Sequence, residues 1–575
     1  MRKRIAATVI IAMIAGALCA CSSGQARQEP AAETDAAQEQ EAQADAAQEQ
    51  DVQADEAQGQ EAQADAAQEQ EAQTDAAQET ASGGVRPAYV IMERNFMETE
   101  DDITLIASGS YETIQLTEEA AIAYPSLNKT VTALSADSDL RYKKYFEELE
   151  DAAELAREQI RDDMENIPVG EMEGGIEPVR CDEEVLSFFE TTYTFYPGSA
   201  HGFTAYQGYN YDPASGNPIT LEDVFTDPAA LLPAVEENLR LQTLESQEIE
   251  AGEELQTYFG EGQDSLVWAI DEQGVTFLFA PSAIAPYAAG TIEAKISFAE
   301  YPDLFTGKYG PSAGGYARRI SDYVPFTEDL DGDGRRETLS VYGDYSDGNE
   351  INEYSGIKVC VDDQELSVEQ YFYRMGSYLL HTQDGRNYIY AVTTSDNDYQ
   401  TLIVFDLSGG TVSLAGKLDR TGFGSVYHAV YEEGEFEWDE SYSELFPILD
   451  PASFVLDTRM DRLSTYSAYR SYQVGSDGMP EPMTDYYEIS ADLELTSLIP
   501  LTAEKVDTQT GAGTGEEKEL PAGTKCRLWH TNGEDTVDVM LEDGSAVRLN
   551  VEGTWPQTVN GHELDEAFSG TMFAG

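Results

Sequence analysis

The most specific chemical signal in the sequence is the nonapeptide Asp329-Leu330-Asp331-Gly332-Asp333-Gly334-Arg335-Arg336-Glu337. Carboxylates at alternate positions can turn hard oxygen ligands onto one ion, and Gly334 permits the sharp bend this needs. Glu337 falls at the ninth position, and the Arg335 carbonyl would supply a further oxygen. Position twelve, where an EF-hand carries a bidentate glutamate, is Ser340, and Thr338 to Tyr342 reads as strand rather than helix. The expectation is a structural Ca²⁺ held between strands by Asp329, Asp331, Asp333, Arg335 and Glu337. The competing reading is an acidic turn without an ion.

Other reactive chemistry is sparse. His201, His381, His428, His530 and His562 share no short metal spacing, and no HExxH, GxSxG or SxxK occurs. The cysteines at 19, 21, 181, 360 and 526 contain no close pair between folded segments, so no disulfide framework is expected. Cys181, Cys360 and Cys526 read as buried small hydrophobes. With 109 acidic residues, no carboxylate pair stands out as acid and base. The net charge of −76 argues against nucleic acid, whose phosphates need lysine and arginine. It favours cationic partners or metal ions, the competing reading being that it only keeps the chain in solution.

His201 is the one histidine inside a motif, and the elements around it are legible. Ser187 to Tyr196 is aromatic and β-branched, as a strand should be. Pro197, Gly198 and Gly202 mark a tight turn. Phe203, Ala205, Gln207, Tyr209 and Tyr211 then alternate as a second strand, giving a hairpin. Asp212 to Asn217 is a further turn. Thr220 to Asp223 reads as a helix N-cap with an acid at N3, followed by Leu231, Leu232, Val235, Leu239 and Leu241 at helical positions.

This order of parts resembles an extracytoplasmic domain family of unknown general function. It is the family that forms the sensor half of RsiV-like, lysozyme-binding anti-sigma factors and the front domain of PdaC-like peptidoglycan deacetylases. Val275 to Ala280, the loop Pro281 to Gly290 and Thr291 to Phe298 look like its closing hairpin. Upstream, Tyr111 to Leu116, the Tyr124-Pro125 pair and a long helix look like its leading domain. The likeness covers roughly residues 86–306. It departs at Gly198-Ser199-Ala200-His201, where the family has Gly-Gly-Ala-His, and at Ser282, where the family has an aromatic residue. The resemblance implies ligand binding on the two loops, at His201, Phe203, Tyr206 and Tyr287. The ligand would be a lysozyme-like cationic protein or the cell-wall glycan. It does not bring catalysis, because the paired histidines and Asp-Asp motif of the deacetylases are missing.

The remaining elements set the frame. Arg2-Lys3-Arg4 and the apolar run Ile5 to Ala17 form a signal peptide, ending in a lipobox-like Leu18-Cys19-Ala20-Cys21. Cys21 is the expected lipidated residue, and lipid the only expected contact with the membrane. Residues 35–80 are a decapeptide array with one large apolar residue, Val52. Such a stretch has nothing to bury, so residues 22–85 read as a disordered stalk. In the leading domain, Tyr142, Phe146, Leu149, Ala153, Ala156 and Ile160 give a helix from about Asp139. The expected fold is thus an α+β domain pair at 86–170 and 171–306, with antiparallel sheets and packed helices. An all-β domain follows at 316–500, as a propeller or a sandwich. A linker at 508–518 and a small SH3-like β-barrel at 519–575 complete a multidomain chain. The function this supports is a lipid-anchored binding or sensing protein on the outer face of the cytoplasmic membrane, without turnover. The alternative is an envelope hydrolase acting on wall polysaccharide through an unrecognised carboxylate site.

Overall fold

The computed structural model describes residues 84–573, apart from 101–103, 161–168, 242–251, 261–264, 313, 322–324, 346–352, 409–410, 433–434 and 491–492. The signal run, Cys21 and the decapeptide stalk lie outside the described residues. From Arg86 onward the chain is one compact unit, mostly β. Among the described residues no helix is long and apolar enough to cross a membrane.

Alternating apolar residues build the first sheet. β1 (Tyr89–Glu100) and β2 (Thr104–Leu116) form an antiparallel hairpin. β3 (Gly170–Cys181) runs parallel to β2, a pairing that requires a long crossover. The helix Pro125–Ile160 supplies it. This helix begins well before Asp139, because Pro125 opens it and Leu127 and Val131 extend its buried face. Tyr142, Leu149 and Ala153 are fully buried against Tyr111 and Met172. The Tyr142 ring lies so close to Gly174 that a Cβ there would sit 2.5 Å from it.

β4 (Leu186–Phe195) and β5 (Phe203–Tyr211) continue the sheet as the expected hairpin, with Thr194 opposite Phe203. At the far edge, β1 pairs with a strand from much later, Glu435–Leu445, which pairs in turn with Ser425–Glu432. The boundary expected at residue 170 therefore does not separate two sheets. Residues 86–211 and 425–445 share one.

Beyond β5, the helices Leu231–Leu241 and Gly252–Gly260 pack on a three-stranded sheet. Its strands are β6 (Val267–Ile270), β7 (Gly274–Phe279) and β8 (Ile292–Ser297). Leu231, Val235, Phe277 and Ile296 are among its fully buried core residues. Gly208 lets β5 approach β6, since a Cβ would meet the Trp268 carbonyl at 2.1 Å.

The middle region is all β, as the strand-turn rhythm indicates. β9 is Tyr316–Ile320. β10 (Phe326–Glu328), β11 (Glu337–Tyr345), β12 (Tyr354–Val361) and β13 (Gln364–Phe372) form a four-stranded meander. β14 (Arg374–His381), β15 (Asn387–Ser395), β16 (Tyr399–Asp406) and β17 (Ser413–Asp419) join β9 in a five-stranded sheet. That sheet is covered on both faces. Ile389 and Ala391 pack with Leu339 and Val359 on one side, while Tyr388 and Tyr390 pack with Phe454 and Leu456 on the other. Burial of both faces makes β15 a continuous apolar run rather than an alternating one.

Two expectations fail toward the C-terminus. The segment 508–518 is not a linker. It is a turn and much of the strand Gly513–Leu520, paired with Leu501–Val506. The strand is almost wholly exposed, so its charged, glycine-rich composition belongs to a solvated sheet edge. Residues 519–575 are also not a separate closed barrel. Their strands extend an open sheet that also holds Thr421–Phe423, Phe454–Arg462 and Ser464–Val474, and Leu528, Val539 and Leu549 share a core with Leu463, Tyr466 and Ala468. No sheet closes into a barrel among the described strands. Cys181 and Cys526 are buried as expected. Cys360 is only half-buried, with its sulfur 3.6 Å from the Tyr342 hydroxyl.

Candidate functional site

The β4–β5 turn and the loop before β8 come from separate sheets and meet. In the turn, Gly198 has φ +89°, and Gly202 lies against the Tyr193 ring, which a Cβ would meet at 2.2 Å. The opposing loop carries a 3-10 turn, Tyr287–Ala289, ended by Gly290 at φ +72°. The His201 ring stacks on Tyr287 with centroids 3.8 Å apart. The Tyr287 hydroxyl donates to the Gly202 carbonyl at 3.1 Å. Phe203 stands beside them, 5.7 Å from His201 and 47% exposed. Tyr206 lies apart, half-buried, with its hydroxyl 2.7 Å from Thr291 Oγ1. Strand alternation puts it on the opposite face of β5 from Phe203.

Tyr206 and Tyr287 line a cleft of about 630 Å³ between the two sheets. Its walls also carry Glu173 and Glu177 from β3, Tyr193 from β4, Glu293 from β8, and Arg318 and Arg319 from β9. Burial pushes the Glu293 carboxyl up to about 7 against the pull of Arg318 and Lys295, with Asp271 and Glu177 adding to the rise. One of its oxygens is buried without a hydrogen-bond partner. Glu177 is likewise pushed up by burial, opposed by Arg318 and Arg319. Sequence reasoning missed these residues. They come from three strands, and nothing local distinguishes them among 109 acids. Paired arginines in the otherwise apolar strand Tyr-Ala-Arg318-Arg319-Ile were the one available signal.

The acidic loop is folded for oxygen ligands. Asp329, Asp331 and Asp333 each bring a carboxylate oxygen within 4.8 Å of the others. Opposed oxygens on a Ca²⁺ ion lie about 5 Å apart, so the donor set fits. Gly332 and Gly334 take φ of +77° and +87°. Asp329 accepts from the amides of Gly332 (2.8 Å) and Gly334 (2.9 Å), Asp331 from that of Asp333 (3.0 Å), and Asp333 from that of Arg335 (2.8 Å). Glu337 stands outside the triad, its carboxylate accepting from the Leu330 amide at 2.8 Å. The Gln273 side chain ties the loop to the β6–β7 turn through both the amide and the carbonyl of Asp329, each at 3.0 Å.

Comparison with known proteins adds a family match. Residues 222–299 match the family described as a protein of unknown function, DUF3298. A solved DUF3298 family member from Bacteroides fragilis is similar at 17% identity and a TM-score of 0.30, over 39% of this chain and 96% of that one. A DUF3298 family protein from Pseudomonas aeruginosa is similar at 16% identity and 0.27, again over 39% and 96%. No curated protein matches the sequence. The chain contains a DUF3298 domain at residues 222–299, which holds Tyr287 and Glu293 but neither His201 nor the acidic loop.

Proposed function

We propose that this is a lipid-anchored, extracytoplasmic binding or sensing protein of the bacterial envelope, tethered through Cys21 and carrying an RsiV-like, PdaC-front-like ligand face. The ligand is a cationic wall-active protein of the lysozyme kind, or the wall glycan. The observation that carries the reading is the junction of the two loops. Exposed aromatic rings at Phe203 and Tyr287 flank His201, and Tyr287 also lines a cleft with three glutamates. Flat rings suit sugars and protein side chains, and the net charge of −76 draws in a basic partner. A Ca²⁺ at Asp329, Asp331 and Asp333 would be structural.

The test is calorimetric titration of the full chain with lysozyme and with soluble muropeptides, at low and physiological salt. The fragment 86–306 is unsuitable, because it lacks the strands at 425–445 and the Glu328 partner of Lys295. No heat with either ligand at any salt removes the binding reading.

A second reading, a wall-polysaccharide hydrolase, draws support from the raised carboxyls of Glu293 and Glu177 in that cleft. It requires reducing ends released from peptidoglycan by the wild type and lost in Glu293→Gln. Absence of turnover in the wild type ends it.

A further inference from the structure

Guanidinium groups gather at one place on a chain with 109 acidic and only 33 basic residues. A pocket of about 580 Å³ opens beside the turn joining the strands Phe454–Arg462 and Ser464–Val474. Arg420, Arg459, Arg462 and Arg470 line it, with Asp461 and Glu534 as its acids. Four guanidiniums against two carboxylates leave two positive charges in excess.

In so acidic a protein a guanidinium would ordinarily find a carboxylate. Arg420 does, with Nη1 2.7 Å from Asp461 Oδ2. The other Asp461 oxygen accepts from Thr465 Oγ1 at 2.6 Å, so this carboxylate is occupied on both sides. Among the described residues, neither Arg462 nor Arg470 makes an ion pair. Arg462 Nη1 donates to the Gly553 carbonyl at 2.7 Å. Arg470 lies over the Tyr487 ring at 4.0 Å and donates to the Tyr472 hydroxyl at 3.2 Å. Stacking fixes the guanidinium plane while leaving its charge uncompensated.

We infer that this pocket binds the dianionic phosphate group of a small phosphomonoester. Planar guanidiniums match phosphate oxygens in pairs, and two excess charges match one dianion. Met460 and Tyr487 supply an apolar wall for an organic body. The volume is that of a small-molecule site, about 300–1,000 Å³. The acidic remainder of the chain repels anions, so capture depends on these few groups. The site is separate from the loop cleft and does not depend on it.

The test uses the full chain with inorganic phosphate and glycerol phosphate at pH 8, against acetate and chloride at matched ionic strength. Phosphorus NMR line broadening and Tm are the readouts. Both phosphates should broaden and raise Tm, while acetate and chloride should leave Tm unchanged and should not displace the phosphate. Arg462→Gln and Arg470→Gln should each weaken binding about tenfold or more. Lys525→Gln, outside the pocket, should leave it unchanged. Should Arg470→Gln fail to fold for want of its stacking contact, Arg462→Gln and Arg470→Lys decide the matter. An equal response to acetate overturns the phosphate assignment. No phosphate response in the wild type, or wild-type affinity in Arg462→Gln, overturns the site.

Discussion

The ammonium of Lys295 lies 2.6 Å from a carboxylate oxygen of Glu328, and both side chains are fully buried. Lys295 is on β8, within the DUF3298 domain, and Glu328 is on β10 of the following β region. Asp271 and Arg318 complete the cluster, with Lys295 3.3 Å from Asp271 and Arg318 3.3 Å from Asp271. The Tyr316 hydroxyl donates to the other Glu328 oxygen at 2.9 Å. Burial alone would raise Asp271, but Lys295 and Arg318 outweigh it and hold the carboxyl well below its usual range. The domain and its neighbour are therefore joined by charge inside the protein, not only by apolar contact.

Removing one partner of such a cluster leaves the others buried and uncompensated. Lys295→Met should cost about 3–5 kcal/mol. The check is denaturant unfolding. A loss below about 1 kcal/mol would mean that water reaches the cluster and screens it.

Stability should also fall as pH rises from mildly acidic to mildly alkaline. Burial, with the Asp271 charge beside it, pushes the Glu272 carboxyl up to about 8. A folded state that holds a proton more tightly than the unfolded one is favoured below the unfolded pKa of about 4.3. That advantage is lost as pH climbs through the folded value. Glu293 and Asp457, both pushed up to about 7, slope the same way. Glu272→Gln should therefore melt higher than the wild type at pH 8.5 and no higher at pH 4.5. Parallel Tm curves across that range would refute the assignment.

Calcium should stabilise the chain through the acidic loop. The Kd expected is that of the weaker calcium modules, about 10⁻⁴–10⁻³ M. Ca²⁺ at roughly ten times its Kd would add about 1.4 kcal/mol. Calorimetric melting with several concentrations of CaCl₂, against MgCl₂, reads this directly. Asp331→Asn should weaken the effect. An unchanged Tm in the wild type leaves the loop as an acidic turn.

Tyr287→Ala separates binding from folding. The ring is 37% exposed, and the mutation removes its stack on His201 and the hydrogen bond to Gly202. The expected stability loss is about 1 kcal/mol, typical of one hydrogen bond. Lysozyme or muropeptide affinity should fall about tenfold or more. Full unfolding would instead make Tyr287 a packing residue.

The sequence by itself determined the local pieces. Aromatic and β-branched residues marked β4, alternation marked β5, and the family resemblance marked β7 and β8. Thr220 and Asp223 wrote the capping box, in which the Thr220 amide donates to Asp223 at 3.1 Å. The Asp-x-Asp-Gly-Asp-Gly run specified a turn in which three carboxylates converge. Each of these is set by residues a few positions apart, where backbone geometry leaves few choices. Tertiary structure decided the rest. It brought Tyr287 onto Gly202, 85 residues away. It added the strand Glu435–Leu445 to the edge of β1, and it turned an apparent linker into the edge strand Gly513–Leu520. It also drew Lys295, Arg318 and Glu328 from three strands, and Asp271 from the β6–β7 turn, into one buried cluster. In a chain so rich in carboxylates, composition cannot mark which acids are buried. Only packing removes the water from Glu272, Glu293 and Glu328, and with it changes what they can do.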